Sequence, residues 1–398
     1  MKTNLSRREF LKVVGGTAGT LAAGGAAGGV ILKADRPLSI EPAWFEGEVK
    51  TIPSVCHMCE WRCGIRVQVA DGRAVRILGN PLDPESRGKT CARGQAGLMD
   101  LYSPDRIQQP LIREGERGEG EFRPAAWEEA LDYAAEGLLK VRDQWDGAEA
   151  IAWFGHHGGE HWFLRYLPGA MGSPNAGTPA EAMCWSPRQR AAGLTFGREF
   201  ANHEPVDWDE TEYVVLIGNH YGENSHVTHM VGLTQALARG AGLVVVDPRR
   251  STAASKAKHW LQIKPGTDTA LLLAWLHVLI TEELYDRDYV AEWTDGFDEL
   301  SEHVQSFTPE WAAEITELSA ETIRQVAREM ADYSPRVAIP PSRHSAWYGN
   351  DTQRLRAMYL VSVLLGSVGR PGGLFLDTPA IIREFKHPRL PLEPPAGG

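Results

Sequence analysis

The sequence predicts an α/β protein in which a small β-rich domain precedes interleaved α/β domains with parallel sheets. Three observations support this class. Four of the five cysteines lie in one stretch, from Cys56 to Cys91. A hairpin pattern lies inside the same stretch. Farther along, patterns of buried strands at 213–218 and 243–247 flank a helical pattern, and this order is typical of a parallel sheet.

The hairpin pattern defines a small domain at 49–106. Residues 65–69 alternate between apolar and polar with a period of two, and 74–78 return with the same period. Asp71-Gly72 between them is a strong hairpin turn signal. The returning strand leads toward Cys91, so the hairpin predicts that Cys91 comes back to the other cysteines.

The cysteine spacing indicates one inorganic centre. Two, three and twenty-seven residues separate Cys56, Cys59, Cys63 and Cys91. Four thiolates suit either an iron–sulfur cluster or tetrahedral zinc. Zinc ribbons usually use two C-x2-C pairs, so the single C-x2-C-x3-C run favours a cluster. Zinc, disulfides and free thiols stay open as alternatives.

The region 201–334 shows the clearest strand–helix–strand unit. A polar turn follows the strand at 213–218, and a helix to about Arg239 follows the turn. Such a helix N-terminus binds anions, and Asp247, at the tip of the next strand, can hold a ribose hydroxyl. Asp268 is placed to cap the following helix or to bind the edge of a guanine. No G-x-G-x-x-G is present, so a nicotinamide site has little support.

The net charge and the two ends of the sequence indicate which ligands to exclude and where the protein is located. The formal net charge of the 398 residues is −11, which disfavours a general affinity for nucleic acid. Ser6-Arg7-Arg8-Glu9-Phe10-Leu11-Lys12 before a weakly apolar run is a twin-arginine pattern, so we predict an export signal at 1–34. The Pro-rich tail at 381–398 is predicted to be disordered.

Two further segments carry reactive side chains. Cys184 taken alone is more often a small buried hydrophobe than a ligand. The segment 342–353 is dense in polar and aromatic residues, including Arg343 and His344. Loops of that composition tend to line sites.

Seven motifs in order carry a family resemblance over about 51–376: CHMCEWRC with CARGQAG, PLIREGERGEGEFRPAAWEEAL, GSPN before Cys184, VVVDPRRS, KPGTDTALL, WYGNDTQR and GSVGRPGG. The chain resembles the N-terminal part of molybdopterin-dependent oxidoreductases of the dimethyl sulfoxide reductase family. The branch that it is most similar to contains the catalytic subunits of polysulfide and thiosulfate reductases. The resemblance places no counterpart of the family's C-terminal β-barrel domain in this chain.

The resemblance implies metal ligands and substrate-facing residues. A [4Fe–4S] cluster would be bound by Cys56, Cys59, Cys63 and Cys91. Cys184 falls where this branch has its molybdenum-ligating cysteine, and a soft thiolate suits that metal. Arg343 and His344 would face the substrate, hold an anionic sulfur compound and supply a proton.

The resemblance also implies contacts to a molybdenum-bis(molybdopterin guanine dinucleotide) cofactor. Arg93 takes the position of the family's basic residue between cluster and pterin. The dinucleotide-binding segments would contribute Asn219, Asp247, Arg249 and Asp268. Within this set, the turn after the first strand would contact pyrophosphate, and Asp247 and Asp268 would contact guanosine.

The implied protein is an exported periplasmic oxidoreductase that reduces inorganic sulfur compounds, with arsenate, selenate or tetrathionate as alternative substrates. A ferredoxin-like iron–sulfur subunit and a quinone-linked membrane anchor would be its partners. We predict an α/β active-site domain at 107–200 plus 335–380 and a Rossmann-like domain at 201–334. Two rival functions remain: a nicotinamide dehydrogenase with structural zinc, and a cluster-carrying electron-transfer module without molybdenum.

Overall fold

The computed structural model describes residues 48–59, 61–155, 167–177, 186–198, 206–219, 221–223, 227–341 and 349–376. Over these ranges the predicted α/β class is confirmed, with a β-rich domain followed by a parallel sheet and helices. In this part of the chain, no helix combines the length and the apolar character needed to cross a membrane. The predicted signal at 1–34 and tail at 381–398 lie outside the described residues.

The cysteine domain is a three-stranded sheet with one helix. Its strands are β1 (Val49–Val55), β2 (Gly64–Ala70) and β3 (Arg73–Gly79), in the order β1-β2-β3. Strands β2 and β3 are antiparallel. The turn between them uses the left-handed backbone, with φ +50° at Asp71 and +75° at Gly72. The predicted hairpin is therefore confirmed, and helix α1 (Ala92–Leu101) packs against β3.

Among the described residues, four short strands and two helices lie between this domain and the parallel sheet. They are β4 (Leu111–Arg113), β5 (Phe122–Pro124), α2 (Trp127–Gln144), β6 (Trp153–Phe154), β7 (Ala176–Gly177) and α3 (Ser186–Phe196). The helix predicted at 127–145 is confirmed. The strand expected over 150–155 is only two residues long, because Ala148–Ala150 forms a 3-10 turn instead.

A parallel sheet forms the base of the second half of the described chain. Its strands are β8 (Tyr213–Ile217), β9 (Gly242–Val246), β10 (His259–Leu261) and β11 (Val337–Ala338). They lie in the order β10-β9-β8-β11, and every neighbouring pair is parallel. Helix α4 (Val227–Ala238) crosses from β8 to β9, as predicted. The domain boundaries stay a prediction, although β11 lies in 335–380 and pairs with β8.

Six helices described beyond β10 supply the core beside the sheet. They are α5 (Asp268–Thr281), α6 (Arg287–Trp293), α7 (Phe297–His303), α8 (Pro309–Thr316), α9 (Ala320–Asp332) and α10 (Asp351–Leu364). Helices α8, α9 and α10 pack against α5, where Trp275 and Leu276 are fully buried. Thr267 rather than Asp268 occupies the N-cap of α5, and its side chain makes no capping bond. The predicted capping role of Asp268 is therefore wrong.

Glu329 on α9 ties the helices to the amino ends of two strands. Its carboxylate accepts a hydrogen bond from the Tyr213 hydroxyl at 2.8 Å and pairs with Lys258 Nζ at 3.0 Å. His259 Nε2 lies 3.0 Å from the same carboxylate. Burial would raise the pKa of Glu329, but these hydrogen bonds outweigh burial and lower the pKa to about 2.

We expect Glu329→Gln to lower the free energy of unfolding at pH 7 by roughly 1–3 kcal/mol. A lowered carboxyl pKa stabilises the fold above the ordinary value of 4.5 and ceases to do so as the pH falls through about 2. Urea unfolding should therefore show a smaller difference between variant and wild type at pH 3 than at pH 7. Glu314→Gln, at an exposed position of α8, is the control. Equal losses at both pH values would contradict the role of this carboxylate.

Candidate cofactor site

The first three cysteines lie on one closed loop between β1 and β2. The Cys56 amide donates a hydrogen bond to the Cys63 carbonyl at 2.9 Å, which closes the loop. Arg62 takes a left-handed backbone conformation, φ +45°, just before Cys63. The loop thus folds back on itself, so that the thiols of Cys56, Cys59 and Cys63 share one small region.

The fourth cysteine is brought to this loop by α1. Cys91 is the N-cap residue of α1. Gly94, one turn later, faces the loop: a Cβ atom at this position would lie 3.4 Å from Cys56 Sγ and would clash with Thr90. Glycine therefore permits the close approach of helix and loop. The helix that follows Cys91 thus lies against the cysteine loop, and the convergence of all four thiols on one centre stays a prediction.

The chemistry of this donor set fits an iron–sulfur cluster. Cys56, Cys59, Cys63 and Cys91 are all free thiols, so the disulfide alternative is not realised. Burial, and then the neighbouring thiols of Cys59 and Cys56, raise the pKa of Cys63 to about 11. Within the described ranges, no three His, Cys, Asp or Glu side chains form a group that could hold one metal ion. A cubane cluster takes one thiolate at each of four irons, so its ligands surround it.

Asp83 supports the cysteine loop from the hairpin side. Its carboxylate accepts hydrogen bonds from the Gly64 amide at 2.7 Å and the Ser86 hydroxyl at 2.6 Å. Burial acts to raise the pKa of Asp83, but these bonds prevail and lower it. The strand that follows Cys63 is thereby attached to the segment that leads to Cys91. Arg93, the predicted basic residue, is exposed in the first turn of α1.

Three predicted dinucleotide contacts meet at the carboxyl edge of the parallel sheet. Asn219 follows β8, Asp247 follows β9, and Asp268 begins α5 after β10. All three are largely buried, with Asn219 7% and Asp247 4% exposed. The Asn219 amide donates to the Pro340 carbonyl beyond β11 at 3.2 Å. Carboxyl ends of parallel strands share one edge, and ligands of open α/β sheets bind there.

A buried charge cluster completes this edge, and sequence reasoning missed two of its members. Arg354 on α10 donates to Asp351 at 2.6 Å and lies 3.8 Å from Asp268. Burial raises the pKa of Asp268; Arg354 opposes this, while Asp351 and Asp247 add to it. A ligand that donates hydrogen bonds to Asp268 would relieve the cost of this buried charge. The i, i+3 spacing of Asp351 and Arg354 within WYGNDTQR was the available signal.

Arg249 is paired within the protein. Its guanidinium lies 2.6 Å from a carboxylate oxygen of Glu223, which the sequence reasoning did not single out. Glu223 also accepts a hydrogen bond from the Thr252 amide at 2.7 Å. The Thr252 and Arg249 hydrogen bonds together lower the pKa of Glu223. Arg249 is therefore already engaged in an ion pair with Glu223, and its contact with a cofactor stays a prediction.

The residues predicted to act at molybdenum and on the substrate lie outside the described ranges. They are Cys184, Arg343 and His344. Their roles stay predictions, as do the binding roles of the residues at the sheet edge.

Family profiles match nearly all of the chain beyond the predicted signal. Residues 49–103 match the molybdopterin oxidoreductase Fe4S4 domain, and residues 106–382 match molybdopterin oxidoreductase. These two domains indicate a [4Fe–4S] cluster and a molybdopterin as cofactors. The first match coincides with the cysteine domain, and the second contains the parallel sheet and its charged edge.

Individual relatives agree with these matches. The chain is 35% identical to the molybdopterin-containing subunit PhsA of thiosulfate reductase from Salmonella typhimurium, over 94% of this chain and 48% of the relative. It is 30% identical to the dimethyl sulfoxide reductase DmsA of Escherichia coli, over 82% and 45%. The solved structure of acetylene hydratase from Pelobacter acetylenicus superposes with a TM-score of 0.70 at 30% identity, over 80% and 44%. The chain thus spans about half the length of these relatives.

The charge cluster at the sheet edge predicts opposite effects for two substitutions. Arg354→Met leaves buried carboxylates unpaired and should lower the free energy of unfolding by about 3–5 kcal/mol. Asp268→Asn should leave it unchanged or raised at pH 7, because a raised carboxyl pKa means that the ionised form disfavours folding. That gain should fade as the pH falls toward the ordinary value of 3.8.

Urea unfolding of the cofactor-free chain at pH 7 measures both effects. Arg354→Lys, which keeps the charge, is the control and should lose less than Arg354→Met. A loss in Asp268→Asn equal to that in Arg354→Met would show that the Asp268 carboxylate is structural rather than held in place for a ligand.

Proposed function

Because the chain belongs to the molybdopterin oxidoreductase family, we propose that it is the N-terminal part of an exported catalytic subunit that reduces inorganic sulfur compounds, such as polysulfide or thiosulfate. One observation carries the sulfur substrate: the chain is 35% identical to the thiosulfate reductase subunit, against 30% to the dimethyl sulfoxide reductase DmsA. The described part of the site, four free thiols and a buried acidic sheet edge, is compatible with any member of the family.

The residues of this chain have separate tasks in the proposed enzyme. The four cysteines of the loop and α1 hold the [4Fe–4S] cluster. Asn219, Asp247 and Asp268 hold the guanosine and pyrophosphate of a bis(molybdopterin guanine dinucleotide). The buried Asp268 carboxylate accepts hydrogen bonds from the base, and Arg354 opposes the burial that raises the pKa of this carboxyl. The bound cofactor supplies two-electron transfer of an oxygen or sulfur atom at molybdenum.

Cys184, Arg343 and His344 complete the proposed active site. The Cys184 thiolate is the protein ligand to molybdenum. The Arg343 guanidinium binds the anionic sulfur compound, and the His344 imidazole holds the proton that the reduced product requires. This assignment rests on the position of these residues in the family motifs.

The proposed partners follow from the need to deliver electrons to the cluster. A ferredoxin-like iron–sulfur subunit would pass electrons to the [4Fe–4S] centre, and a quinone-linked membrane anchor would supply them. Exposed Cys91 and Arg93 at the start of α1 support an electron entry point on this side of the cysteine domain. The twin-arginine pattern supports a periplasmic location, because that route exports proteins already folded around their cofactors.

A second candidate is reduction of another oxyanion or of a sulfoxide. It is favoured by the DmsA relative, whose 30% identity is close to that of the thiosulfate reductase subunit. The same residues would hold the cofactor in either case. The difference would lie in the pocket around Arg343 and His344.

In the complete, anaerobically purified protein, we expect thiosulfate- or polysulfide-dependent oxidation of a reduced viologen dye. Cys184→Ala should abolish this turnover and leave the EPR signal of the reduced cluster intact. Cys91→Ser, the matched control, should diminish the cluster signal and lower iron from about four per chain. Turnover retained in Cys184→Ala would disprove the ligand role. Faster turnover with dimethyl sulfoxide or an oxyanion would favour the second candidate, and zinc without iron would exclude the cluster.

Export is tested separately. Residues 1–34 fused to green fluorescent protein should give periplasmic fluorescence, which requires export of a folded protein. The double substitution Arg7→Lys, Arg8→Lys should confine the fluorescence to the cytoplasm. Periplasmic fluorescence of the double variant equal to that of the unmodified fusion would show that the segment is not a twin-arginine signal.

A further inference from the structure

Two loops of the cysteine domain contact α4, the helix that crosses from β8 to β9. The ring of Trp61, between Cys59 and Cys63, meets the His229 ring edge-on, with centroids 4.6 Å apart and an interplanar angle of 80°. In the loop after β3, the Arg87 guanidinium donates to Gln235 Oε1 at 2.6 Å. The cysteine domain thus contacts α4 near its start and near its end.

His229 is itself held in place by neighbouring aromatic rings. The Tyr221 hydroxyl lies 2.5 Å from His229 Nδ1. The Trp208 ring lies 6.3 Å from the imidazole on another side, where Gly232 of the same helix allows its close approach. Burial lowers the pKa of His229 to about 4. The imidazole is therefore neutral at physiological pH and packs as an uncharged ring that is hydrogen-bonded to Tyr221.

The contacts of α4 link the two halves of the cofactor site. Trp61 belongs to the loop that the Cys56–Cys63 hydrogen bond closes, so its ring moves with the thiols. At this same end, α4 follows the turn after β8, where Asn219 lies. The ring pair therefore joins the cysteine loop to the sheet edge. Edge-to-face aromatic pairs stabilise by about 0.5–1.5 kcal/mol beyond the area that they bury.

We propose that His229, held by Tyr221, is a positioning residue for the cysteine loop: through Trp61 it sets where the cluster lies relative to the cofactor edge of the sheet. The Arg87–Gln235 hydrogen bond is a second, weaker attachment on the same helix. Redox and catalytic groups need supports that hold them to a fraction of an ångström, and locked aromatic rings supply such supports. This inference rests on the cluster of the matched domain and is independent of the proposed sulfur substrate.

Hydrogen–deuterium exchange of the full chain tests the attachment. The Cys56 amide is bonded to the Cys63 carbonyl, so its exchange in a peptide covering 55–66 reports opening of the loop. His229→Ala should speed this exchange about two- to tenfold. His229→Phe, which keeps a ring against Trp61, should restore most of the protection. His277→Ala is the control: His277 is half-buried on α5 and bonded to the Val304 carbonyl at 2.9 Å, away from the loop.

A double-mutant comparison separates positioning from a general role in the core. Trp61→Leu should speed the same exchange, and Trp61→Leu with His229→Ala should exchange no faster than the faster single variant, because both remove one contact. Additive effects, or an exchange rate in His229→Ala equal to that in His277→Ala, would overturn the proposal. In cluster-loaded protein, His229→Ala should also change the EPR line shape of the reduced cluster without lowering the iron content. An unchanged line shape would likewise overturn it.

Discussion

The carboxyl edge of the parallel sheet depends on one buried ion-pair cluster. Asp247, Asp268 and Asp351 bring three carboxylates into a region with little access to water, and Arg354 is the cation beside them. Isolated buried charges are expensive, so this arrangement requires the guanidinium to stay in place. Because Arg354 lies on α10 and Asp268 on α5, the pair also joins the two helices that carry the core. The same ion pair therefore supports both the edge of the sheet and the packing of these helices.

Helix α4 positions the cysteine domain relative to the sheet edge. It begins beyond β8, at the same edge as the acidic residues, and its side chains meet both loops of the cysteine domain. A cluster and a pterin exchange electrons only if the distance between them is maintained. The small cysteine domain is a single three-stranded sheet with one helix, so it has little core of its own to maintain that distance. Contacts to α4 supply the support that the small core of the cysteine domain does not provide.

Several features could be predicted because they depend on local pattern. The hairpin at β2–β3 and the helices around 127–145 and 268–281 follow from alternation, turn residues and apolar runs. The strand at 150–155 was predicted to be too long, because Ala150 belongs to a 3-10 turn. Capping of α5 was one of two roles predicted for Asp268, whereas its carboxylate lies 3.8 Å from Arg354, 86 residues later in the sequence. No local pattern reports a partner at that separation.

By itself the sequence determined the family and a candidate ligand set: motifs whose order is specific to molybdopterin oxidoreductases, and four cysteines at characteristic spacing. Those features are encoded residue by residue, so no coordinates were needed to find them. Only the tertiary structure decided which charged groups share the sheet edge, that Arg249 is paired with Glu223, and that His229 meets Trp61. These contacts join elements that are separated in the chain. The parallel order of the strands brings the sheet-edge groups together, and the contact of the cysteine loop with α4 brings Trp61 to His229.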